Sequence, residues 1–166
     1  MKIMKNIYLI FFTITVLAGF GLAYIWWNDY TFKNNPLDDE LQYKINQKIK
    51  ELQIKSYQRF GIKRTFPIII SDQMSSNHYG MAVYTKNDEI KIYLNKNRFK
   101  ENANYMIDDV IPHEYAHAIT FAIGHFSNKQ RGHDKVWQDI CKKLDGKRCE
   151  RFVNHDDILI EKTNLF

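Results

Sequence analysis

His113-Glu114-Tyr115-Ala116-His117 is the stretch on which the reading of this 166-residue chain turns. On an α-helix, positions four apart lie one turn above the other on the same face. The two imidazoles can therefore converge on one ion. Glu114 sits next to the first of them and can reach a water on that ion without becoming a ligand, the arrangement of a metal-dependent hydrolase. The alternative reading leaves both histidines as exposed or core groups with no metal.

Outward from this pentapeptide, Met106, Val110, Tyr115 or His117, and Phe121 recur at helical intervals. They predict a helix from about Tyr105 to Phe126, kinked or restarted at Pro112, which lacks a backbone donor. The run Asp134 to Leu144 predicts a last helix with Val136, Trp137 and Ile140 on its apolar face. Gly124 and the polar run Ser127 to Gln130 let the chain turn back, so Phe126 to Gly132 reads as the connection. A catalytic zinc ion takes three protein ligands and keeps one position open. Candidates for the third are His125, His133 and His155. His125 lies two turns past His117, ~12 Å along a continuous helix and out of reach unless the helix breaks first. His155 falls in an unpatterned tail, whereas His133 opens the last helix. Otherwise His125, His155 and His78 read as ordinary exposed histidines. Asp109, four residues before His113, is either a partner orienting that ring or a helix-surface carboxylate. The pattern identifies no oxyanion donor; His78, Tyr79 and Tyr84 are the candidates.

Upstream, Pro36 and Asp38 mark a helix start. Leu41, Ile45, Ile49 and Leu52 form one apolar stripe, with Lys44, Lys48 and Lys50 away from it, and Gly61 is the natural stop after Phe60. A β-rich stretch follows: Thr65 to Ser71, Gly80 to Thr85 and Glu89 to Leu94, the last two joined by Lys86-Asn87-Asp88. Ile90, Ile92 and Leu94 alternate with Lys91 and Tyr93, the period of a half-buried strand. A sheet of about three strands is expected. Asn95 to Asn104 is polar and reads as loop, with room for a helical turn.

Ile7 to Trp27 carries no charge over 21 positions. A helix of that length spans ~31 Å, the hydrocarbon thickness of a bilayer. Lys2 and Lys5 precede it, and Asp29, Asp38, Asp39 and Glu40 follow, so the basic side is expected in the cytoplasm and the body outside it. Trp26, Trp27 and Tyr30 fall where amphipathic rings favour the headgroups. Gly21-Leu22-Ala23 has the form of a signal cleavage site, but the apolar run exceeds a signal core and cleavage would leave a greasy terminus; an uncleaved anchor is the preferred reading.

The net charge of +5 and the pI near 9.1 come from lysines and arginines scattered over the chain, a solvated surface rather than a binding stripe. Apolar content of 45% and charged content of 26% exclude a disordered or fibrous chain. Cys141 and Cys149 have no CxxC partners, which leaves no zinc ribbon. They are either two thiols or, in an oxidising compartment, a bridge across the Gly146 turn.

Tyr105-Met-Ile-Asp-Asp-Val-Ile-Pro-His-Glu-Tyr-Ala-His117 closely resembles the active-site helix of SprT-like metallopeptidases. Ala82-Val-Tyr through Glu89-Ile-Lys-Ile-Tyr-Leu-Asn95 resembles that family's strand pair, and Gly132-His133 with Trp137 its third-ligand segment. The resemblance spans roughly Leu41 to Phe152. It implies an α+β minimal zincin: one helix, a small sheet, the HExxH helix and a following helix, with His133 as third ligand of a single zinc ion. Family members in the cytoplasm often carry a C-terminal zinc ribbon and act near nucleic acid, as in the crosslink repair of the Spartan branch. The missing ribbon cysteines and the exporting segment set this chain apart, and a nucleic-acid partner is not expected.

The expected organisation is an anchor or signal over residues 1–29, a linker over 30–36 and a metallopeptidase domain over 37–166. The expected activity is hydrolysis of a protein or peptide with Glu114 as general base and His113, His117 and His133 on zinc. A zinc-stabilised binding module without activity, and a nucleic-acid-associated protease, are the competing readings.

Overall fold

The computed structural model describes residues 2–85, 87–126 and 132–149. Lys86, the connection over 127–131 and the tail with His155 lie outside the described residues. The chain forms two compact units, Met1–Leu37 and Asp38–Phe166.

The first unit is built on helix α1 (Lys2–Asn34). Over Asn6–Asn34 it is long and apolar enough to cross a membrane, and the most apolar part of that stretch is entirely unburied. Its polar groups are answered within the helix: Thr13 Oγ1 donates to the Leu9 carbonyl at 2.8 Å and Thr15 Oγ1 to that of Phe11 at 2.9 Å. The helix continues through Tyr30 to Asn34, residues read from the sequence as linker. Local bonds explain the extension. Lys33 pairs with Asp29 one turn back at 2.9 Å, and Asn34 Nδ2 donates to the Tyr30 carbonyl at 2.8 Å.

The second unit begins with α2 (Asp39–Phe60), bounded as its caps dictate. Asp38 accepts from the Leu41 amide at 2.8 Å. Gly61 ends the helix at φ 69°, and its N–H reaches the Tyr57 carbonyl at 2.9 Å. Ile45 and Leu52 are buried, as the stripe predicts.

Three strands follow: β1 (Ile68–Ser71), β2 (Gly80–Tyr84) and β3 (Ile90–Asn95). The sheet order is β1-β3-β2. β1 runs parallel to β3 with Ile68 beside Ile92, and β2 runs antiparallel with Ala82 beside Ile92. Ile90, Ile92 and Leu94 are buried, in agreement with the alternation. β1 starts after Pro67, which has no donor and contributes only its carbonyl to the Ile92 amide at 2.9 Å.

Asn95 ends β3 and is buried. Its amide donates to the Ser75 and His78 carbonyls at 3.1 and 2.8 Å, and its Oδ1 accepts from Asn97 N at 3.1 Å. That cap starts α3 (Lys96–Glu101), so a helix stands where the polar sequence reads as loop. A short α4 (Ala103–Tyr105), capped by Asn102, leads into a π-helical segment (Met106–Val110) and then α5 (Ile111–Ala122). The expected disturbance at Pro112 takes this form. Pro112 sits in the first turn of α5, and the wider π turn before it accommodates a ring that an unbroken α-helix would not. The helix stops at Ala122 rather than Phe126 because Gly124 turns left-handed at φ 75°.

α5 packs against β2, β3, α2 and α6 (Lys135–Lys143). Ile111, Tyr115, Ile119, Trp137 and Leu144 are buried in this core with Leu52, Ile92 and Met106. Cys141 and Cys149 form a disulfide with Cα atoms 5.7 Å apart. Gly146 lies in the bridged turn; a Cβ there would come within 2.7 Å of Cys141 Sγ.

Candidate metal centre

Helix α5 sets His113 and His117 one turn apart, and their ring centroids are 5.1 Å from one another. Gly132, at φ 85°, turns the chain into His133 just before α6. The His133 Nε2 atom lies 3.0 Å from His113 Nε2 and 3.1 Å from His117 Nε2. Three nitrogens at ~2.0–2.1 Å from one tetrahedral ion would sit ~3.3 Å apart. Both distances to His133 are close to that spacing, all three ligand atoms lie within 4.8 Å of one another, and the three residues could hold a metal ion.

The donor set fits in its chemistry as well. A ligating imidazole must be neutral. Burial, with His133 adding to it, lowers the His113 pKa to about 3. Burial again leads at His117, followed by His113 and His133, and lowers that pKa to about 2. Trp137, fully buried, faces all three rings at centroid distances of 4.6, 5.0 and 4.5 Å for His113, His117 and His133. It walls one side of the cluster and restricts ring rotation.

Glu114 is buried between α5 and the edge strand β2. Its Oε2 accepts from the Ala82 amide at 2.9 Å. Desolvation raises its pKa to about 8, with the Ala82 N–H acting in the opposite direction. A carboxyl with a pKa near neutrality can both take and return a proton. The close approach depends on Gly80, where a Cβ would come within 2.7 Å of Glu114 Cγ. In the sequence Gly80 and Ala82 read only as strand residues. The available signal was a glycine in a strand pattern, which marks a close backbone approach.

The remaining candidates have other partners. His125 Nε2 lies 2.7 Å from Asp134 Oδ2. The exposed His78 lends its carbonyl to Asn95. Tyr79 packs edge-on against Tyr105 at 5.7 Å with the Arg98 guanidinium 4.6 Å over its ring. The Tyr84 hydroxyl bonds Asp88, and its ring packs against Phe126 at 4.9 Å. Asp109, mostly buried, has its Oδ1 3.9 Å from Arg148 Nε.

Fold and site together define a mixed α+β protein with a three-histidine candidate metal centre beside a buried glutamate. The model of the SprT-like family matches residues 27–156, and the chain belongs to that family. It is similar to Protein SprT of Vibrio parahaemolyticus serotype O3:K6 (strain RIMD 2210633), with 33% identity over 111 residues, 66% of this chain and 62% of that protein. It is also similar to Protein SprT of Vibrio atlanticus (strain LGP32), with 32% identity over 104 residues, 62% of this chain and 58% of that protein. The chain thus spans about three fifths of the length of the curated relatives it matches. No solved structure matches it.

Proposed function

We propose that this chain is a membrane-anchored zinc metallopeptidase of the minimal zincin type, hydrolysing peptide bonds in a protein or peptide substrate. The observation that carries the reading is the convergence of the three histidines: His133 Nε2 lies within hydrogen-bond distance of both His113 and His117 Nε2, and Glu114, next to His113, is buried on the helix of that pair. A zinc ion held by that donor set would supply Lewis acidity toward a water and a substrate carbonyl. Glu114 takes the proton of the attacking water as the water oxygen bonds the carbonyl carbon. Its Oε2 accepts from the Ala82 N–H, which fixes the carboxylate in orientation. The proton is then delivered to the leaving amine as the C–N bond breaks. Trp137 and the walls of α5 and β2 exclude bulk solvent from one side of the cluster.

Helix α1 anchors the protein in this reading, with the N-terminus cytoplasmic and the catalytic domain outside. Two features support it: the apolar span Asn6–Asn34 and the Cys141–Cys149 disulfide, a bond of oxidising compartments. Nucleic acid is not among the proposed partners.

The test uses the full chain in detergent. Wild type should bind one zinc ion and cleave casein in a chelator-sensitive manner. Glu114→Gln should keep the zinc and lose cleavage by at least ~10²-fold; undiminished activity would discard the general base. Zinc without any cleavage across a peptide library would instead leave a binding module. A reporter fused after residue 166 should be active only outside the cytoplasm.

A further inference from the structure

Two side chains outside the histidine cluster close the connection between α5 and α6. Gly124 N–H donates to the Phe121 carbonyl at 2.9 Å and His125 N–H to that of Thr120 at 3.0 Å, so His125 is fixed to the end of α5. Asp134 is the N-cap of α6. Its Oδ1 accepts from the Val136 and Trp137 amides at 3.1 and 3.2 Å. Its Oδ2 accepts from His125 Nε2–H at 2.7 Å. One carboxylate therefore ties the end of α5 to the start of α6 across residues 126–133. Neither side chain is fully exposed: His125 retains 35% of its accessible surface and Asp134 17%.

What hangs from this tie gives it meaning. His133 is the residue immediately before Asp134, and its Nε2 is one corner of the cluster. Trp137, whose amide Asp134 caps, walls all three rings. His113 and His117 are held by α5 itself, within continuous backbone hydrogen bonding. His133 lies outside both helices, between Gly132 and the N-cap of α6, with Trp137 packed on its ring and its carbonyl accepting from Gln138 Nε2 at 3.3 Å. An N-cap needs a single carboxylate oxygen. The second oxygen bonds the end of the helix that bears the other two histidines.

We infer that His125 and Asp134 are a positioning pair that holds His133, the third histidine, against the two on α5. The inference rests on the reading that the three histidines bind zinc. Partners that orient a metal ligand from outside typically change affinity by ~10–100-fold when removed.

The experiment measures zinc dissociation constants of the full chain in detergent, by competition with a chromophoric chelator. It also records the visible spectrum of the Co²⁺-loaded protein. Wild type, His125→Ala, His125→Gln and His133→Ala are compared. His125→Ala should bind zinc ~10–100-fold more weakly and shift the Co²⁺ bands toward those of His133→Ala, with the metal-free melting temperature lowered by no more than a few degrees. The glutamine Nε2 can donate to Asp134 in place of the imidazole, so His125→Gln should recover most of the affinity that His125→Ala loses. Equal affinity and spectrum in wild type and His125→Ala would overturn the inference while leaving the metal site intact. Equal weakening in both His125 variants would overturn it too, because the hydrogen bond would not be the carrier. A wild-type chain that binds no zinc would fail the underlying reading instead.

Discussion

Helices α1 and α5 are both apolar, yet they stand in opposite surroundings. α5 is covered by β2, β3, α2 and α6, and Ala116, Ala118 and Ile119 have no accessible surface. α1 presents Leu9, Phe12, Leu17, Phe20 and Leu22 with more than half of each accessible. Apolar surface removed from water stabilises at ~25 cal/mol per Å². α5 obtains that stabilisation from its own chain. α1 must obtain it from lipid on the reading proposed above. Apolar sequence thus states a need for cover, and the rest of the fold decides whether protein or bilayer supplies it.

Each substitution or condition below tests one side of this contrast, taken from the largest effect to the smallest. Ile119→Asp puts an unpaired charge in a site without water, and the cost should exceed ~4 kcal/mol. Denaturant titration of the body should find no folded baseline, and an intact cooperative transition would refute protein cover as the basis of α5. Leu17→Arg in α1 should cost ~2.5–3.5 kcal/mol of membrane insertion. Alkaline extraction should release it while the melting temperature of the body stays put; a membrane fraction equal to wild type would remove the anchor role. Reducing Cys141–Cys149 opens a loop that ends just after α6, for a loss of ~2–3 kcal/mol in the chain-entropy model. Thermal melts with and without reductant measure it directly.

Per pH unit the smallest effect is a slope that α5 imposes through the groups it buries. His113 and His117 have folded pKa values of about 3 and about 2 against an ordinary 6.5, so their contribution is present above pH 6.5 and is lost as pH falls. Glu114 has the opposite sign: its folded pKa of about 8 exceeds the ordinary 4.5, so stability falls as pH rises between those values. Between pH 4.5 and 6.5 two histidine protons outweigh one from the carboxyl, at ~1.4 kcal/mol per proton and pH unit. The metal-free body should therefore melt highest near pH 6.5, with slopes of one net proton on either side and a steeper decline only below pH 4.5, where the histidines act unopposed. A maximum above pH 8 would contradict the burial of Glu114.

Local chemistry was readable from the chain, and long-range approach was not. Asp38 and Gly61 bound α2 where they stand in the sequence, because a cap bonds residues three or four away. The alternation of Ile90, Ile92 and Leu94 carried β3 for a similar reason. His133 was placed by the turn before it and by resemblance, and the structure brings it to the pair on α5. α3 was missed because its start depends on Asn95, whose side chain is committed by a loop some twenty residues upstream. Gly80 was missed because only the packed structure brings Glu114 against it. His125 was read as an exposed histidine, and its partner is a cap on another helix.

β2 lies at the border of the sheet, where unsatisfied amides invite another chain to add a strand. The Ala82 amide is already taken by the Glu114 carboxylate. A foreign strand sliding along that border would meet a missing rung midway, so the same bond that steadies the glutamate also discourages self-association into ribbons.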